Sequence, residues 1–136
     1  MRGAGERMRN VAARFIAVGI AVLLFSCDAP KDDPVMDSQF QAQQKMKEAL
    51  RDSDSAKYRD VQAYEMTGSG RTGYVFCGKV NAKNGFGGYS GAMRFVAGPG
   101  LATIETDEGG QEAMAFEIIW KAACAKWVKD VSAYWQ

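Results

Sequence analysis

Eleven consecutive uncharged residues, Phe15 to Phe25 (FIAVGIAVLLF), follow an opening segment that carries Arg2, Arg7, Arg9 and Arg14, and Cys27 comes two residues later. At about 1.5 Å of rise per residue, a helix of this length spans about 16 Å, roughly half of the ~30 Å hydrocarbon core of a bilayer. The run is too short for a permanent membrane helix and has the order of an export leader, a basic segment and then an apolar one. An ordinary cleaved signal peptide and an uncleaved anchor are both compatible with that order. The part left to fold is about a hundred residues, enough for one core and not two.

The residues Leu24-Phe25-Ser26-Cys27 resemble the lipobox of bacterial lipoproteins, with leucine three positions before the cysteine and a small residue just before it. Phe25 departs from the small or aliphatic residue usual at that position. The resemblance implies that the Cys27 thiol takes a diacylglyceryl group and that cleavage occurs on its amino side. Residues 1–26 would then be a signal peptide, 27–36 the acylated cysteine and a tether, and 37–136 a single domain. Two acyl chains give stable anchoring where one binds only marginally. Asp28 resembles the inner-membrane retention signal of enterobacterial lipoproteins, so the expected address is the cell envelope, facing the periplasm, with the inner membrane favoured over the outer. Ala29 to Val35 (APKDDPV) reads as a short extended tether.

Acylation of Cys27 leaves Cys77 and Cys124 as an even pair in an oxidising compartment. A disulfide between them is expected, against the alternative of two unpaired buried thiols. The absence of any C-x-x-C spacing gives no support to thiol exchange or a zinc site.

Composition narrows the function classes. The sequence contains no histidine, which removes the commonest general base and the commonest metal ligand. Beyond residue 27, 13 basic residues stand against 15 acidic ones, a net of −2, which is no basic field for nucleic acid. Nothing in the sequence implies a cofactor or a metal.

Asp37 to Leu50 is rich in Gln, Lys and Ala and predicts a surface helix capped by Asp37 or Ser38, with a thin apolar stripe of Phe40, Met46, Ala49 and Leu50. Asp52 and Asp54 read as caps for a helical turn at Ala56 to Arg59. Strands are predicted at Val61–Thr67, Tyr74–Val80, Tyr89–Val96 and Leu101–Glu105, separated by glycine-rich breaks. In the second of these, Val75, Cys77 and Lys79 alternate with Tyr74, Phe76 and Val80. Phe116, Trp120, Cys124, Trp127 and Val131 follow at intervals of four, four, three and four, which predicts one helical face over Gln111 to about Val131. Trp120 and Trp127 would lie in the core. The expected fold is α+β: a small antiparallel sheet of about four strands, an N-terminal and a C-terminal helix packed on it, and a disulfide joining sheet to helix.

The segment from Cys77 to Phe95 (CGKVNAKNGFGGYSGAMRF), with LRDSDSAKYRDV before it and FEIIW and Cys124 after it, resembles a family of small exported or phage-associated bacterial proteins of unknown function. Tyr58 stands where that pattern usually has Phe, and Ser53 where proline is common. The resemblance implies no activity. On their own chemistry, Asn81, Lys83, Asn84, Tyr89 and Arg94 surround a glycine-rich bend with amide, ammonium, phenol and guanidinium groups, enough to hold a sugar, a peptide end or a carboxylate. The alternative is that Gly85, Gly87, Gly88 and Gly91 serve only turn geometry, with the asparagines satisfying backbone groups. The segment lacks G-x-x-x-x-G-K-[ST] and is no phosphate loop.

The functional expectation is a non-enzymatic, membrane-anchored binding module whose partner is another envelope protein or a cell-wall component. The alternatives are a structural subunit of an envelope assembly, favoured by exposure of Phe40, Phe86 or Trp135, and a small envelope hydrolase using a serine and lysine.

Overall fold

The computed structural model describes residues 33–136. The leader and Cys27 lie outside the described residues. The elements run α1 (Pro34–Ala49), a 3-10 turn (Ser53–Ser55), β1 (Lys57–Gly68), β2 (Arg71–Asn81), β3 (Met93–Gly98), β4 (Leu101–Ile104), α2 (Gly110–Ala123), β5 (Trp127–Asp130) and a second 3-10 turn (Ser132–Tyr134). The fold is α+β, with five antiparallel strands in the order β4-β3-β2-β1-β5.

Strand alternation creates two cores. Val61 and Ala63 of β1, Phe76 and Val80 of β2, and Phe95 and Ala97 of β3 face α1, which contributes Val35, Ala42 and Met46. Val75, Cys77 and Val96 have the opposite parity and face Phe116 and Ala123 of α2. The first core is the larger. Trp135 fills it at 1% exposure, its ring centroid 5.1 Å from Tyr58, 5.3 Å from Phe95 and 5.6 Å from Phe76. The disulfide Cys77–Cys124 spans 6.1 Å between α-carbons and ties the centre of β2 to the end of α2.

β1 carries a bulge where Asp60 and Val61 oppose Gly78, and Asp60 takes a left-handed conformation (φ 55°). A β-carbon on Gly78 would lie 3.0 Å from the Val61 α-carbon and 3.1 Å from the Arg59 carbonyl oxygen. Glycine follows Cys77 because the bulged strand passes this close.

Four elements differ from the sequence pattern. α1 begins at Pro34, with the Asp33 carboxylate accepting from Val35 N at 2.9 Å, so residues 34–36 form a helical turn and Phe40 points outward. The turn capped by Asp52 is Ser53–Ser55, and Lys57 to Arg59 already belong to β1. The third strand begins at Met93 instead of Tyr89, because the glycine-rich stretch before it stays outside the ladder, apart from a lone bridge between Lys83 and Tyr89. The long C-terminal helix stops at Ala123, and Trp127–Asp130 leave it to become β5. The outer edge of β1 offers unpaired backbone groups, and Trp127 and Val128 are good strand formers. Glu65 N donates to Lys126 O at 2.8 Å and Val131 N to Val61 O at 3.0 Å, completing the edge. Trp127 is consequently 61% exposed, its indole N–H donating to Gln62 Oε1 at 2.8 Å, and Val131 enters the α1 core.

Candidate functional site

The loop between β2 and β3 folds around one side chain. Asn84 Oδ1 accepts from Phe86 N at 3.0 Å and Gly88 N at 3.1 Å, while Asn84 N donates to Gly88 O at 2.7 Å and Gly87 N to Asn84 O at 3.0 Å. Gly87 sits at φ 82°, a conformation that only glycine adopts without strain. This tight ring lifts Phe86 to its tip, where the side chain is 100% exposed.

The base of the loop docks on the Ser53–Ser55 turn. Ser55 Oγ donates to Asp52 O at 2.8 Å and accepts from Lys83 N at 2.8 Å, and the Tyr89 hydroxyl donates to Ser55 O at 3.4 Å. Asp52 Oδ1 in turn caps Ser55 N at 3.2 Å. Capping and docking are thus one network, which fixes the phenol of Tyr89 over the strand start.

Two ammonium groups face that ring, Lys57 Nζ at 4.9 Å and Lys83 Nζ at 5.9 Å from its centroid. Arg51 passes along the loop's other side, so close to Gly85 that a β-carbon there would lie 2.5 Å from its Nη1. Between Arg51, Phe86 and Met93 lies an open recess of about 340 Å³. The site therefore has Lys57 and Lys83 against one phenol and Arg51 on the loop's other side, with an apolar side chain standing proud. Such a surface can hold an anionic group beside an apolar one.

Of the five residues singled out by sequence, Lys83, Asn84 and Tyr89 are brought together here. Asn81 ends β2 beneath them, its Oδ1 buried and without a donor among the described residues. Arg94 is elsewhere. It points to the α2 face, where it pairs with Glu105 (Nε to Oε2, 3.1 Å) and with Glu117 of α2, and lies 5.3 Å from the Phe116 ring and 5.0 Å from that of Trp120. Its hydrogen bonds to Glu105 and then to Glu117 push its pKa up, and the same contact with Arg94 holds the Glu105 carboxyl below its ordinary value. Arg94 is a clamp between sheet and helix. Arg51 and Lys57 are not among the residues the sequence pattern assigned to the loop, and Phe86 was expected there only as apolar surface for an assembly.

A second recess of about 280 Å³ lies between α1 and the start of β1, against Tyr58, whose phenol is pushed up to about 12 by burial. Among the described residues no three His, Cys, Asp or Glu side chains converge as a metal site requires, and no helix is long and apolar enough to cross a membrane. No protein-family model, curated protein or solved structure matches this chain.

Proposed function

We propose that this chain is a lipid-anchored, periplasm-facing binding module, held by an acylated Cys27 and recognising another envelope component through the loop that carries Phe86 and Tyr89. The observation that carries the reading is the exposed Phe86, sharing a recess with Arg51 and Lys83, on a loop whose backbone is held by its own hydrogen bonds. A rigid loop loses little entropy on binding, and a protruding aromatic flanked by cations has the composition of an interface anchor. The role proposed is binding and not catalysis: the loop groups grip, and none is placed to activate another. The ligand class that fits is a carboxylate-bearing peptide or cell-wall component with an apolar side chain.

Exposure of Phe40 at 63% and of Phe86 favours a second reading, a structural subunit of an envelope assembly. Crosslinking in intact cells, followed by purification of the full chain, separates the two. Under the binding reading, Phe86→Ser and Lys57→Glu each abolish one crosslinked product while the protein stays at the membrane. A product set unchanged by both substitutions refutes the role of the loop.

A further inference from the structure

Two exposed apolar pairs lie on opposite sides of the sheet. On α2, Met114 and Ile118 are 68% and 69% exposed; on α1, Met36 and Phe40 are 41% and 63% exposed. Each pair is spaced i, i+4 and so occupies one helix face. Their surroundings differ. Gln39 and Gln43 both reach the Tyr134 carbonyl, Gln43 Nε2 at 2.7 Å, so the C-terminal 3-10 turn lies along the flank of α1 that carries Met36 and Phe40. Tyr134 is itself 60% exposed.

The chain outside the described residues decides between the two faces. Asp33 is fixed as the cap of α1 and as partner of Lys129 Nζ at 2.7 Å. Only Asp28 to Asp32 separate it from Cys27, six residue steps from one to the other. Six such steps reach about 20 Å when fully extended. A compact domain of about a hundred residues has a radius of gyration near 13 Å and so measures about 33 Å across. The tether is shorter than the domain, so the side bearing the start of α1 stays near the point of attachment and the α2 side is turned away.

We infer that the first turns of α1, through Met36 and Phe40 with Tyr134 beside them, rest on the lipid bilayer that holds the anchor. This inference rests on the reading of Cys27 as the acylated residue. Phe and Met enter the acyl boundary, and a tyrosine suits the headgroup level. The arrangement also leaves the Phe86 loop accessible. That loop lies beyond the other end of α1, a 16-residue helix about 24 Å long.

The test uses the full chain extracted with its anchor and reconstituted into vesicles of phosphatidylethanolamine and phosphatidylglycerol, with a phospholipid carrying a diazirine within its acyl chain. After irradiation, adducts are expected on Met36, Phe40 and Tyr134 and not on Met114 or Ile118. A double variant, Met36→Ser with Phe40→Ser, is expected to lose the adducts on α1 while still floating with the vesicles; both side chains are exposed, so its fold is preserved. Adducts on Met114 and Ile118 instead, or none on a protein that floats, overturn the inference and leave the anchor standing. A protein that does not float with the vesicles overturns the anchor and the inference with it.

Discussion

Replacing Cys77 and Cys124 together by alanine is expected to loosen α2 before anything else in the domain. The bridge closes a loop of 47 residues in sequence separation, for which chain entropy alone gives about 4 kcal/mol at 25 °C. That is a large share of the 5–15 kcal/mol typical of a whole domain. The second core holds the helix through fewer buried residues than the first: Phe116 and Ala123 are buried, Ile119 and Trp120 are only partly so, and the Arg94–Glu117 pair is partly exposed. The large core under α1, with Trp135 at its centre, does not involve the bridge. Urea unfolding should therefore show a midpoint lowered by about 1–4 M, at roughly 1–3 kcal/mol per molar urea. Amide exchange in residues 110–123 should accelerate far more than in residues 34–49. Reduction of the unaltered protein should reproduce both effects without deleting a buried sulfur. A loss under about 1 kcal/mol, with α2 protected as well as α1, would show that the disulfide does not fasten this helix.

The other predictions concern single contacts. Gly78→Ala forces a methyl group against the Val61 α-carbon and the Arg59 carbonyl, neither of which can yield as a side chain would, and should cost about 1–3 kcal/mol by thermal unfolding. Trp135→Ala should cost about 3–5 kcal/mol, because it empties the middle of the larger core. Arg94→Met should destabilise by about 1–2 kcal/mol at neutral pH, reduced from a buried pair by partial exposure. Glu105 titrates below its ordinary value of 4.5 in the folded protein because of Arg94, so its contribution is complete above 4.5 and drains away as pH falls through the lower folded value. The Arg94→Met difference should shrink over that acid range, and a difference constant down to pH 3 would contradict the pairing. Tyr58 is raised to about 12, so stability should fall as pH rises from about 10 toward that value, and Tyr58→Phe should remove this alkaline component of an absorbance titration.

What could be read in the sequence was what strand and helix periods encode directly. The alternation through Tyr74 to Val80 places Cys77 opposite Phe76, and Cys124, which caps α2 four residues after Trp120, bonds to Cys77 on that face. Periodicity failed where a short element stayed in phase with its neighbour. Trp127 and Val131 continue the helical spacing of Phe116 and Cys124, yet the pairing that claims them is with the edge of β1, distant in sequence. Phe40 failed for a related reason: a stripe of apolar residues says which face of a helix is wet only if all of them are buried, and this one is not.

Arg94 shows how a site residue can be recognised by type and misplaced by parity. Its proximity to the glycine-rich bend made it a candidate ligand group, but proximity along a chain means little once a strand has begun. Successive side chains then point to opposite faces. Arg94 is two residues before Val96, so the two share a face, and Val96 pairs with Cys77 across the sheet. Any arrangement that turns Cys77 toward the C-terminal helix for the disulfide therefore turns Arg94 toward it as well. There it meets Glu117 and the rings of Phe116 and Trp120, and the loop is left with cations that precede the strand, Lys83, or come from elsewhere in the chain, Arg51 and Lys57.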